Sequence, residues 1–349
     1  MPKKRETVDL NGIVYDIIKK KSVSANCEIF VVKKGKEYIL KYFHSKHQFW
    51  TEYKFLHNIE MTNFICPHIS DGAILGPEKV ILYSLMPEYY MTLHDFVLES
   101  IKKSGRGPTF NFIDSVSLQL FKALDYLHSR DFIHGDIKPE NIMFQTSDKN
   151  EIVLIDFGQT QNSKGPLDRN IGTNPYRAPE LWLKKLEITP AIDIWSAMLT
   201  IYFTMTGDDL LDLNGESRII PEMYDILMQK NSDSLRSNCT LDPIYSDDNV
   251  YQIGTVINTL KVLHILFHII GPPSPAFYGT EIIKEFYDKE GCPIFYGTKE
   301  SSILPRHLID IYGIDAGMSE KIRSYLSLGL AYLPGDRKSA KDIITRTII

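Results

Sequence analysis

Short apolar runs with period-two alternation fill the chain before Leu93, and spacing of three and four residues takes over after it. Strands are expected at Ile13–Ile18, Cys27–Val32 and Glu37–Phe43, with Lys33-Lys34-Gly35-Lys36 as the hairpin turn joining the last two. His47–Ile59 has the helical spacing of Phe49, Tyr53 and Leu56, and Val80–Met86 reads as a further strand that runs into Pro87. Lys102–Pro108 reads as a polar loop. Phe112–Ser129 reads as a long amphipathic helix with Val116, Leu120, Ala123, Leu124 and Leu127 on one face. Ile152–Ile155 returns to a β-type run. Asp208–Asp248 is polar and acid-rich, with a short helix at Pro221–Gln229, and reads as an insertion or a mobile loop. The apolar run Val262–Ile270 is stopped by Gly271-Pro272-Pro273, since glycine suits a helix C-cap and proline cannot continue a helix.

With 349 residues, 43% hydrophobic and 24% charged, the chain has material for one large or two medium soluble domains. A net charge of −5 gives no basic face for nucleic acid, so no nucleic-acid partner is expected. Val262–Ile270 is too short to cross a bilayer and is interrupted by His264 and His268, so no membrane association is expected either. No secretory signal is read, because Met1-Pro2-Lys3-Lys4-Arg5 leads into Glu6 rather than an apolar core. That basic start reads as a frayed terminus or a nuclear import signal. Cys27, Cys66, Cys239 and Cys292 are scattered without a C-x-x-C pair and suit reduced thiols in a nuclear and/or cytoplasmic protein.

Chemistry concentrates in two stretches. His134–Asn141, H-G-D-I-K-P-E-N, follows the amphipathic helix and puts a carboxylate (Asp136), an ammonium (Lys138) and a carboxamide (Asn141) on one tight loop. Leu154–Gly158, L-I-D-F-G, sets Asp156 at the end of a strand, with Gly158 free to take unusual backbone angles. Phosphoryl transfer from a nucleotide needs a residue that orients and deprotonates the attacking hydroxyl, ligands for Mg²⁺, and a cation on the phosphates. Asp136, Asn141 with Asp156, and Lys138 suit those posts in that order. Lys41 ends the apolar strand Y-I-L-K, and a lysine on an inward strand position needs an anionic partner because an unpaired buried ammonium is costly.

The order H-x-D-x-K-P-x-N, strand, D-F-G, then A-P-E at Ala178-Pro179-Glu180 resembles the catalytic and metal-binding segments of eukaryotic protein kinases. The resemblance covers about residues 13–345 and implies an α+β bilobal fold. An N-terminal tail (1–12) would precede a small β-rich N-lobe (about 13–86) and a larger helical C-lobe (about 87–345), without accessory modules. It implies ATP and Mg²⁺ as cofactors, Asp136 as base, Lys138 as charge stabiliser, and Asn141 and Asp156 as metal ligands. Lys41 would hold the nucleotide phosphates, paired with Glu52, Glu60 being the fallback. Val80–Met86 would be the hinge, where backbone groups of Ser84 and Met86 hold adenine and Tyr83 narrows the back of the pocket. Thr173 would lie near Asp136 and Lys138, Asp193 would accept backbone N–H bonds from the catalytic loop, and Arg337 would pair with Glu180.

Two departures stand out. The expected glycine-rich phosphate cover is K-S-V-S-A-N-C-E, Lys21–Glu28, with no glycine; the small Ser22, Ser24 and Ala25 still let backbone N–H groups approach phosphates. Gly135 replaces the arginine of H-R-D, so the clamp on a phosphorylated activation segment cannot form. Asp168 falls where cyclin-dependent kinases carry the activating threonine and is expected to order the segment as a fixed charge. I-G-T-N-P-Y-R-A-P-E resembles the cyclin-dependent-kinase-like (CMGC) group. So does L-F-H-I-I-G-P-P-S-P before Phe277-Tyr278, continued by Leu304-Pro305 and Leu308. Cell-division-cycle-seven-like kinases are the rival family, sharing G-T-x-x-x-R-A-P-E and A-I-D-x-W-S. The resemblance implies a serine/threonine kinase transferring the ATP γ-phosphate to a protein substrate, proline-directed and related to the cell cycle or transcription. A cyclin-like or other activating subunit is the partner class it brings with it. The alternative is a pseudokinase acting as a scaffold, favoured by the missing glycines and arginine and opposed by the intact Lys41, Asp136, Asn141 and Asp156.

Overall fold

The computed structural model describes residues 6–76, 79–182, 186–211 and 313–347. They fall into two compact units. The first unit holds the described residues up to Asp95 together with Glu140–Gln161; the second holds Phe96–Pro139 and the described residues from Asn162 onward.

The first unit is built on a six-stranded antiparallel sheet of order β1-β2-β3-β4-β6-β5: β1 (Thr7–Leu10), β2 (Ile13–Val23), β3 (Cys27–Lys34), β4 (Lys36–Phe43), β5 (Ser70–Leu75) and β6 (Val80–Pro87). Residues 1–12 were expected to be a tail. Instead Thr7–Leu10 pair with Asp16–Ile13, and Val8 and Leu10 are buried, because two apolar side chains at period two suffice to dock an edge strand on a core. Val8, Leu10, Tyr15, Val32, Leu40, Tyr83 and Leu85 form that core on one face of the sheet. Gly35 takes φ 74 in the turn between β3 and β4, as a tight hairpin requires. Helix α1 (Lys46–Asn58) begins where the Ser45 side chain accepts from the Gln48 N–H. Short strands follow along the chain as β7 (Met91–Thr92), β8 (Phe132–Ile133), β9 (Ile142–Phe144) and β10 (Ile152–Leu154); β10-β9-β7 make a second small sheet in this unit.

The second unit is helical. Helix α2 (Leu93–Ser104) takes in Lys102 and Lys103, so the polar loop is shorter than expected; cations suit the last turn of a helix, and Lys103 also bonds Glu99 at 2.9 Å. Helix α3 (Phe110–His128) is capped by Thr109 and buries Val116, Leu120, Phe121, Ala123, Leu124 and Leu127. After the short α4 (Pro179–Trp182), α5 (Ala191–Thr206) is buried on nearly every side, as suits a central helix without a polar face. Later come α6 (Ala316–Leu326) and α7 (Ala340–Ile343). The helix expected at Pro221–Gln229, the run Val262–Ile270 with its stop, and the residues 271–308 that carry the group-specific insert lie outside the described residues. Among the described residues no helix is long and apolar enough to cross a membrane.

Candidate active site

Each unit carries its own cluster of the expected residues. In the first, β4 delivers Lys41 to the face of the sheet opposite the apolar core. Its Nζ donates to Glu52 Oε2 of α1 at 2.8 Å and to Asp156 Oδ1 at 2.8 Å. The Lys41 and Glu52 side chains are 7% and 4% exposed, so this is a buried ion pair, whereas Asp156 is 43% exposed. Burial opposes the ammonium, but the two carboxylates outweigh it and raise the Lys41 pKa above its ordinary value. Burial raises the Glu52 carboxyl, with Lys41 pulling the other way. Glu52 is therefore the partner, and Glu60, beyond the end of α1, is not.

Asp156 follows β10, and the Ile155 N–H donates to the Asn141 carbonyl at 3.0 Å, which sets both candidate metal ligands in this unit. The left-handed backbone falls on Asp156 itself, at φ 62, and not on Gly158, which has no positive φ. A Cβ at Gly158 would lie in ordinary contact with Asp156 Oδ1 and Gln48, both at 3.4 Å. Phe157 is buried and stacks on Phe55 of α1, ring centroids 4.5 Å apart, which ties the D-F-G segment to the helix that holds Glu52. A carboxylate and a carboxamide are hard oxygen donors, and with the half-exposed Asp156 they fit Mg²⁺.

The expected adenine contacts need correction. Ile69 N–H donates to the Leu85 carbonyl at 2.7 Å, so Leu85 turns its polar groups toward β5. Its neighbours Ser84 and Met86 then turn theirs toward Lys41 and Ile39 of β4. Their backbone belongs to the sheet ladder. Their side chains instead line a small pocket with Glu52, Leu56, Cys66, Asp156 and Phe157. Tyr83 lies on the other face, in the apolar core with Leu40 and Leu85, and does not narrow that pocket. Parity along the strand carries this in the sequence: Tyr83 and Ser84 cannot face the same way. Glu88 and Tyr89, just past the end of β6, are the nearest backbone beyond the ladder, and the sequence reading passed over them. Ser22 lies in β2 opposite Ile29; Ser24 closes its own turn, its hydroxyl accepting from the Asn26 and Cys27 N–H groups at 3.2 and 3.1 Å.

In the second unit Asp136, Lys138 and Thr173 form a closed triangle. Lys138 Nζ donates to Asp136 Oδ2 at 2.8 Å and to Thr173 Oγ1 at 2.7 Å, and the Thr173 hydroxyl donates to Asp136 Oδ1 at 2.7 Å. The loop is shaped from beneath by buried Asp193, the N-terminal turn of α5. Its oxygens accept from the His134 and Gly135 N–H groups at 2.8 and 2.9 Å and pair with His128 Nε2 at 2.9 Å. Gly135 sits at φ 81, where an arginine would be strained. Arg337 donates twice to Glu180, at 2.6 and 2.7 Å, with both side chains fully buried.

The model of the family described as protein kinase domain matches residues 11–347, nearly the whole chain and both clusters. The chain belongs to the protein kinase family. Similar proteins include the serine/threonine-protein kinase chk-2 of Caenorhabditis elegans, 42% identical over 95 residues, or 26% of this chain and 20% of the relative. Cyclin-dependent kinase-like 1 of the same organism is 31% identical over 114 residues, 33% of this chain and 32% of the relative. Calcium-dependent protein kinase 6 of Plasmodium berghei is 39% identical over 98 residues, 27% of this chain and 6% of the relative. The matched stretches thus span no more than about a third of these relatives' lengths.

In this kinase domain the segment from Asp156 to Glu180 is fastened by its own arginines. Arg169 donates to the carbonyls of Glu180 at 2.5 Å and Leu186 at 2.6 Å, and Arg177 donates to the Arg169 carbonyl at 3.0 Å while lying over the Trp182 ring. Asp168 accepts from the Asn170 N–H at 2.9 Å, closing a local turn.

Proposed function

We propose that this protein is an ATP-dependent serine/threonine protein kinase. The observation that carries the reading is Lys41 held between the buried Glu52 and the half-exposed Asp156 of D-F-G, a placement that keeps a fixed cation ready for phosphate oxygens. Asn141 and Asp156 would hold Mg²⁺, which when bound neutralises charge on the phosphates. Lys41 orients the nucleotide phosphates, and Asp136 orients the substrate hydroxyl and accepts its proton. The Thr173 hydroxyl on Asp136 supports that role, since an aliphatic alcohol of the substrate's kind already fits this carboxylate at 2.7 Å. Lys138, bonded to the same carboxylate, adds positive charge beside the reacting group. Glu88 and Tyr89 supply the backbone groups for adenine, replacing Ser84 and Met86 in that role.

The finer reading is a kinase of the cyclin-dependent-kinase-like group, proline-directed, with a cell-cycle or transcription role and a nuclear and/or cytoplasmic location. I-G-T-N-P-Y-R-A-P-E and the likeness to cyclin-dependent kinase-like 1 support it. A cyclin-like or other activating subunit belongs to the same proposal. The deciding assay is transfer of labelled γ-phosphate from ATP with Mg²⁺ to general protein substrates, native chain against Asp156→Ala and Asp136→Asn. Native transfer that falls by about 10²–10⁴ in Asp136→Asn is expected. Equal, background-level labelling by native and variant proteins would instead establish a pseudokinase.

A further inference from the structure

His57, His68 and Asp71 lie in the first unit, outside the residues assigned to phosphoryl transfer. His57 belongs to the last turn of α1, His68 to the segment between α1 and β5, and Asp71 to β5. One ligand atom from each falls within 4.8 Å of the others. Asp71 Oδ2 is 3.7 Å from His57 Nε2 and 3.4 Å from His68 Nε2, and the imidazole centroids are 4.4 Å apart. Two ligands about 2.1 Å from a tetrahedral ion stand roughly 3.4 Å apart, so the two Asp71 separations suit a ligand set. Two imidazoles and one carboxylate are the donors such an ion takes when a fourth position is left to water.

A second observation concerns His57 Nδ1, which lies 2.8 Å from the Tyr53 carbonyl. A carbonyl only accepts, so Nδ1 is the donor there and Nε2 is the ring atom turned toward Asp71. Metal-ligating histidines are oriented in this way by a carbonyl behind them. The Tyr53 ring, stacked on His57 at 3.9 Å, fixes the plane of the imidazole. A small pocket lined by Glu52, Tyr53, His57, His68, Asp71 and Ser84 opens beside the three groups.

We propose that His57, His68 and Asp71 form a binding site for one transition-metal dication of the zinc type. The site does structural work. Lys41, Ser84 and Asp71 occupy one row across β4, β6 and β5, so α1 is fastened to that row twice, by Glu52 on Lys41 and by His57 on Asp71. An ion at the second point ties the end of α1 to β5 and thereby holds Glu52 in register with Lys41.

The test uses the full chain, stripped with a chelator and titrated with Zn²⁺ and with Co²⁺ as its spectroscopic substitute. One equivalent is expected, giving a tetrahedral Co²⁺ visible spectrum that Zn²⁺ displaces and a raised thermal midpoint. X-ray absorption at the zinc edge should show two imidazole nitrogens with oxygen donors, a readout that needs no variant. His57→Gln and Asp71→Asn each change a partly exposed side chain and should weaken Zn²⁺ binding by more than about 100-fold, beyond what loss of a supporting bond costs, while His94→Gln binds as the native chain does. Absence of binding, a zinc environment without two imidazoles, or affinity unchanged in His57→Gln and Asp71→Asn would overturn the proposal. The three residues would then be a cluster of polar neighbours only.

Discussion

Replacing Lys41 by methionine removes the cation that Glu52 and Asp156 share and leaves Glu52 a buried carboxylate. Breaking one side of such a pair costs about 3–5 kcal/mol, read by chemical denaturation at neutral pH. The pH dependence has a definite sign. Burial raises the Glu52 carboxyl, so the folded variant binds a proton more tightly than the unfolded chain, and its stability should fall as pH rises through and above the ordinary glutamate range. Cys66 offers a second residue-scale check. Burial pushes its thiol up to about 12, and its N–H is bonded to the Leu154 carbonyl at 3.0 Å. In the folded protein at about pH 8, Cys66 should resist iodoacetamide, and peptide mapping after unfolding should show it newly alkylated. Labelling of Cys66 in the native state would show that this region opens.

Among the elements, the segment from Asp156 to Glu180 departs most from a phosphate-switched kinase. Gly135 removes the arginine clamp, and Arg169 and Arg177 are already committed to backbone carbonyls. Phosphatase treatment should therefore leave the labelled-ATP rate unchanged. Asp168→Ala should lower it, because the turn closed on the Asn170 N–H is lost; a rate that drops on dephosphorylation would show a phosphate at work. Arg337→Ala should cost about 3–5 kcal/mol in denaturation, since it strands the buried Glu180 carboxylate. The partners at these two places differ in how readable they were. Arg337–Glu180 and Asp193 under the catalytic loop could be read because each lies inside a recognisable motif. The left-handed turn at Asp156 could not, because L-I-D-F-G marks glycine as the permissive residue while the positive φ falls on the aspartate.

At the scale of the whole chain, the strand-rich beginning and the helices after Leu93 were legible from period, and the pairing of Lys41 with Glu52 from motif. Three features were not. Thr7–Leu10 is too short an alternation to announce a strand without its partner. The return of Glu140–Gln161 to the first unit is a matter of tertiary packing that no local pattern encodes. His57, His68 and Asp71 follow no recognised ligand spacing and meet only through the packing of α1 on β4 and β6. The Glu180–Arg337 pair joins positions 157 residues apart. During synthesis the earlier carboxylate emerges long before its counter-charge and stays hydrated through that interval. The second unit can therefore lock only after residue 337 has left the ribosome, so a nascent chain stalled short of that point should remain protease-sensitive there however much of its helical content has formed.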